Sequence, residues 1–125
     1  MFVVDDDPAL GRLSKAVLSL EGFEVQPYTS SLEAFSQIVD TTVPNPKAIV
    51  LDLNMPDMDG REFYRRAREM GYSGPVLILS AYGAKEAQQE LGAEAALAKP
   101  FDPQELASTL RGIVAAWPES PGLNP

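Results

Sequence analysis

Short apolar runs alternate with helix-period segments along the whole chain. Phe2-Val3-Val4 is apolar and β-branched and predicts a strand that starts almost at once. From Pro8 to Glu21, Leu10, Leu13, Val17 and Leu20 recur at helical spacing, and Gly22 stands where a helix would stop. "FEVQPY", residues 23–28, alternates like a second strand. Ser30 and Glu33 have capping-box spacing, and Leu32, Phe35, Ile38 and Val39 would form the apolar face of a second helix. A loop with Pro44 and Pro46 follows.

"AIVLDL", residues 48–53, is an apolar run broken by one aspartate, as in a strand buried on both faces. "NMPDMDG" predicts a loop, and residues 61–70 predict a helix. "PVLILS", residues 75–80, is another buried strand that ends on a polar residue. Residues 84–91 predict a helix with few apolar anchors, and "AALA", residues 95–98, a short strand. Asp102, Pro103 and Glu105 supply an N-cap, a first-turn proline and a capping-box acid. Leu106, Leu110, Ile113 and Trp117 line the helix they open. "PESPGLNP", residues 118–125, predicts a linker or frayed tail beyond a folded unit spanning residues 1–117.

The order is (βα)5. It predicts a single α/β domain with a doubly wound, five-stranded parallel sheet in the flavodoxin-like order 2-1-3-4-5. In such sheets, sites form at the carboxyl ends of the strands. Polar residues end four of the five strands: Asp5, Asp6 and Asp7; Asp52, with Asn54 just beyond; Ser80; and Lys99.

Composition narrows what such a site can do. The 125 residues carry a formal charge of −8, the wrong sign for a nucleic-acid surface. With no cysteine and no histidine, thiolate and imidazole chemistry are both excluded. No apolar run reaches a membrane span of ~18 residues, so a soluble cytoplasmic protein is expected. Two adjacent carboxylates about 5 Å apart repel by roughly 3 kcal/mol at an effective dielectric near 20. Something must offset that cost in "VVDDDP". An all-carboxylate cluster suits a hard divalent cation, Mg2+ above all. A hydroxyl and an ammonium nearby suit phosphoryl oxygens, and a carboxylate can itself become an aspartyl-phosphate.

These residues stand in four motifs: "VVDDDP" (3–8), "LDLNMPDMDG" (51–60), "LSA" (79–81) and "AKPF" (98–101). Together they resemble the receiver domain of two-component response regulators over nearly the whole chain. The resemblance implies that Asp52 is the phosphoacceptor. It implies that Asp5 and Asp6, with Asp52 and the backbone carbonyl of Asn54, hold Mg2+. Ser80 would bond a phosphoryl oxygen, and Lys99 would pair with the acceptor and then with the phosphoryl group. A cis peptide before Pro100 is implied as well. The implied partners are a sensor histidine kinase or phosphotransfer protein, an output domain beyond the C-terminus, and a second copy of the phosphorylated chain. Direct contact with nucleic acid or membrane is not expected, and the domain is expected to be a phosphoacceptor rather than an enzyme.

Asp7 precedes Pro8 and reads as a helix N-cap. Asp57 and Asp59 read as a solvated turn before a helix. Phe35 and Phe63 read as core. A calcium loop fails, because aligning Asp57, Asp59 and Gly60 leaves Met55 and Arg66 at essential ligand positions. One rival is a small Mg2+-dependent phosphatase of the haloacid-dehalogenase type. It would want an acid where Asn54 stands. The other is a pseudo-receiver that works without phosphorylation. One departure from the family pattern is Ala96, where many receivers carry an aromatic. Tyr82 is the expected substitute.

Overall fold

The computed structural model describes residues 1–116. Five strands alternate with five helices: β1 (Phe2–Val4), α1 (Pro8–Leu20), β2 (Gln26–Tyr28), α2 (Ser31–Val39), β3 (Ile49–Asp52), α3 (Gly60–Glu69), β4 (Val76–Ser80), α4 (Ala84–Leu91), β5 (Ala95–Ala98) and α5 (Pro103–Ala116). The strands are all parallel in the order β2-β1-β3-β4-β5, as the pattern predicts. Trp117 and the tail from residue 118 lie outside the described residues.

Strand alternation splits the core into two layers. Phe2, Val4, Ile49, Leu51, Val76 and Ile78 face α2, α3 and α4. Val3, Val50, Leu77 and Leu79 face α1 and α5. Both faces of β3 and β4 are covered, so their sequences are apolar without a break until the last residue. Phe63 is buried in the first layer, and Phe35 meets its ring edge-on at 5.9 Å.

Two helices turn a different face inward than their leucines predict. On α1 the buried residues are Gly11, Ser14 and Leu18, while Leu13 is exposed and Leu20 is 87% exposed. Leu10 and Val17 lie at the margin. The reason is proximity. A Cβ on Gly11 would stand 3.1 Å from the Cβ of Pro27, so small residues let α1 press onto β2. On α2, Ser31, Ala34 and Ile38 face inward, and Leu32 and Val39 face out. The second strand is also shorter than its pattern, because only residues 26–28 pair with β1. Gln26 donates its N–H to Met1, so the neighbouring Pro27 turns its donor-less nitrogen toward the open edge of the sheet.

Candidate functional site

The carboxyl ends of β1, β3, β4 and β5 come together beside the point where strand order reverses. Asp52 is the last residue of β3 and is 3% exposed. Asp5 follows β1 and is 2% exposed. Lys99 follows β5 and reaches between them. Its Nζ donates to Asp5 Oδ2 at 2.6 Å and lies 3.3 Å from Asp52 Oδ2. The resemblance implied a pairing with Asp52, yet the shorter contact is to Asp5. One ammonium thus offsets two buried carboxylates, and part of the repulsion at the end of β1 is relieved within the chain.

The backbone supplies further donors. Asp7 N–H donates to Asp5 Oδ1 at 2.9 Å, and Asn54 N–H donates to Asp52 Oδ1 at 3.2 Å. Burial pushes the Asp52 carboxyl above the ordinary carboxylate range, and the Asp5 charge adds to this against the Asn54 and Lys99 contacts. Burial would lower the Lys99 ammonium, but the hydrogen bond and charge of Asp5, then the charge of Asp52, outweigh it and raise it. Asp7 caps α1 as expected, accepting from Ala9 N–H at 3.0 Å.

Oxygens of Asp5, Asp6 and Asp52 lie within 4.8 Å of one another. Opposite ligands of Mg2+ stand about 4.2 Å apart, so a small movement would close these oxygens around such an ion. Three carboxylates against one ammonium leave two formal negative charges. The donor set is entirely oxygen, and Asp6 and Asn54 are open to solvent. The residues present therefore fit a hard divalent cation. Beside them an open cleft of about 400 Å³ is lined by Asp6, Asn54, Met55, Asp59 and Arg61.

Ser80 ends β4 and is 1% exposed. Its hydroxyl turns to its own loop, donating to the Tyr82 carbonyl at 2.7 Å. Lys99–Pro100 is a cis peptide. Tyr82 is 87% exposed and so does not fill the place beside Ala96, which packs at the margin of the core. With Ser80 bonded to the Tyr82 backbone, the ring is left pointing outward.

Asp57 lies exposed in the turn before α3, as its loop suggests, but it also reaches across to α2. Its carboxylate accepts from Ser30 Oγ (2.6 Å), Ser31 Oγ (2.7 Å), Ser31 N–H (3.3 Å) and Leu32 N–H (3.0 Å). Desolvation raises this carboxyl, but the hydrogen bonds together outweigh it and hold it far below the usual range. No local pattern signals this, because the partners lie 25 to 27 residues away. Asp59 does belong to the next helix: it caps α3, accepting from Arg61 N–H at 2.7 Å.

A doubly wound sheet with a carboxylate triad and a lysine at its carboxyl edge defines a receiver-type signalling domain. The family model for the response regulator receiver domain matches residues 1–111, and the chain belongs to that family of two-component signalling proteins. It is 35% identical over 117 residues to the transcriptional regulatory protein TrcR of Mycobacterium tuberculosis, covering 91% of this chain and 44% of that one. It is 34% identical over 117 residues to the response regulator MprA of Mycobacterium avium, covering 91% of this chain and 50% of that protein. The chain thus spans about half the length of the curated relatives it matches. Among solved structures, a response regulator receiver protein from Burkholderia phymatum superposes with a TM-score of 0.80 at 32% identity, covering 91% and 94% of the two chains. No helix among the described residues is long and apolar enough to cross a membrane.

Proposed function

We propose that Asp52 accepts a phosphoryl group from the phosphohistidine of a sensor kinase or phosphotransfer protein. The observation that carries this reading is the placement of Asp52. It is a buried carboxylate at a strand end, facing Lys99 at 3.3 Å and sharing its oxygens' neighbourhood with Asp5 and Asp6. A buried charge in such a place is costly without a task.

In the reaction, an Asp52 oxygen forms the bond to phosphorus. The donor's phosphorus–nitrogen bond breaks, and its electron pair leaves with the imidazole, which keeps or takes up a proton. Lys99 stands where it can balance charge on the acceptor and then on the transferred group. Ser80 lies at the neighbouring strand end and would leave the Tyr82 carbonyl to donate to a phosphoryl oxygen. Asp5, Asp6, Asp52 and the Asn54 carbonyl would hold Mg2+. When bound, Mg2+ supplies positive charge against the phosphoryl oxygens.

The receiver unit is proposed as residues 1–117, with residues 118–125, outside the described residues, as a linker or tail, and an output domain is a proposed partner. The full-length relatives that carry sequence beyond the receiver support that reading. The domain is a phosphoacceptor that assists its own phosphorylation and dephosphorylation, and it works in the cytoplasm with its kinase.

The test is intact mass after incubation with acetyl phosphate, with and without Mg2+, beside Asp52→Asn. One phosphoryl group that requires both Mg2+ and Asp52 is the expected result. No adduct together with steady release of phosphate from phosphomonoesters would favour the phosphatase. No adduct and no turnover would favour a pseudo-receiver.

A further inference from the structure

The loop after β3 runs from the acceptor to α3 and carries Asn54. Both of its ends are tied. At its start, Asn54 N–H bonds Asp52 at 3.2 Å. At its far end, Met58 N–H donates to Ser31 Oγ at 3.0 Å, and Ser31 Oγ lies 2.7 Å from both the Met58 carbonyl and Asp57 Oδ1. Gly60 N–H closes the loop onto the Leu53 carbonyl at 2.9 Å. Between the two ties stands Pro56, whose ring fixes φ and limits how far the segment can flex.

The α2 side of this clamp is equally specific. The first amides of a helix have no partner within it. Ser30 Oγ accepts the Glu33 amide at 3.1 Å, as its capping spacing predicts. The Ser31 and Leu32 amides are satisfied instead by Asp57, reaching across from the acceptor loop. Ser31 is fully buried at this junction. The same carboxylate therefore completes α2 and anchors the loop that leads back to Asn54.

We propose that Asp57 is a positioning residue for the cation site, holding the acceptor loop against the N-terminus of α2 so that Asn54 is set in place before the cation arrives. The inference rests on the assignment of Asp5, Asp6, Asp52 and Asn54 as the Mg2+ site. Its consequence is reciprocal, because a tie that favours cation binding is itself strengthened by the cation. Mg2+ should therefore protect the Leu32 amide, which lies on α2, an element that carries none of the proposed ligands. A residue that merely caps α2 would leave that amide indifferent to Mg2+.

The experiment is Mg2+ titration of the whole chain by calorimetry, paired with amide hydrogen exchange at Leu32 and Met58. Asp57→Ala is expected to weaken Mg2+ by about ten-fold, the usual scale for removing support behind a ligand. It is also expected to abolish the Mg2+-dependent protection at Leu32. Asp57→Asn keeps one carbonyl acceptor and should recover part of both effects. If Asp57→Ala folds poorly, Asp57→Asn and Ser30→Ala carry the same comparison. A variant that binds Mg2+ within about two-fold of wild type, with Leu32 protection unaffected by Mg2+, overturns the proposal and leaves Asp57 a helix cap alone. If the wild-type chain binds no Mg2+ and takes no phosphoryl group, the failure lies in the site assignment, and the proposal falls with it.

Discussion

Helices α3 and α4 flank the same acidic strand ends, yet they are held very differently. α3 opens on Asp59, which accepts from two amides, and it buries Gly60, Phe63, Tyr64 and Ala67. Through Asp57 its leading loop is also tied to α2. α4 has eight residues and opens on Gly83, at φ +70°, with no side-chain cap. It buries only Ala84 and Ala87, with Leu91 at the margin. Its links to α3 are ion pairs of Arg61 and Arg65 with Glu90, at 3.2 and 3.6 Å, between solvent-exposed side chains. One flank is built to keep the site's geometry and the other to move at small cost. Ser80 sits at the entry to the loose flank and bonds the Tyr82 backbone within it. A change at Ser80 is therefore well placed to shift the population of α4 positions.

The largest expected effect tests the site that both flanks serve. Asp52→Asn should abolish phosphoryl addition from acetyl phosphate, read by intact mass. Next is Lys99→Ala, which strands Asp5 and Asp52 as buried carboxylates without a counter-ion. It should cost about 3 kcal/mol in denaturant unfolding without Mg2+, and part of that loss should return when Mg2+ is added. Gly60→Ala strikes the firm flank. A Cβ there would meet the Asp52 carbonyl oxygen at 2.6 Å and Leu53 Cα at 2.7 Å. Both are backbone atoms, so a loss of roughly 2 kcal/mol is expected. Glu90→Ala strikes the loose flank and should cost at most about 0.5 kcal/mol, since its ion pairs are exposed. Equal losses from the last two variants would erase the distinction between the flanks.

Acidity separates the two aspartates in opposite directions. The Asp57 carboxyl is held below its unfolded value, so its contribution is complete above about pH 4 and is lost as pH falls further. The Asp52 carboxyl is raised, so the native state binds its proton more tightly than the unfolded chain does. Its ionisation therefore weakens the fold as pH rises from about 4 through the raised native value. Urea unfolding carried from neutral pH to well below about pH 4 should show Asp57→Asn flattening the acid loss, and Asp52→Asn more stable than wild type at neutral pH without Mg2+.

The alternation of strands and helices and the strand-end residues were legible because each depends on local pattern, whereas the start of β2 was not, since only residues 26–28 pair with β1. A buried parallel strand must be apolar along its length, so the aspartate in "AIVLDL" stands out against its background. The inward faces of α1 and α2 were not legible. Adjacent stripes on a helix differ by one residue, and hydrophobicity favours the stripe with leucines. Packing favoured the one with Gly11, Ser14 and Ala34, because close approach to the sheet needs small side chains. The role of Asp57 was hidden for another reason. A carboxylate before a helix looks like a local cap, and its bonds to a helix 25 residues earlier exist only in the folded chain. The contact between Lys99 and Asp5, 94 residues apart, is of the same kind.

Pro27 gives β2 a property unrelated to signalling. An open parallel edge normally offers unpaired N–H groups that can recruit a strand from another molecule. Here the outward-facing position at the middle of a three-residue strand has no hydrogen to offer. The missing donor makes this edge, one of the sheet's two, a poor template for a strand from another molecule, while Gly11 lets α1 pack against the same ring from within.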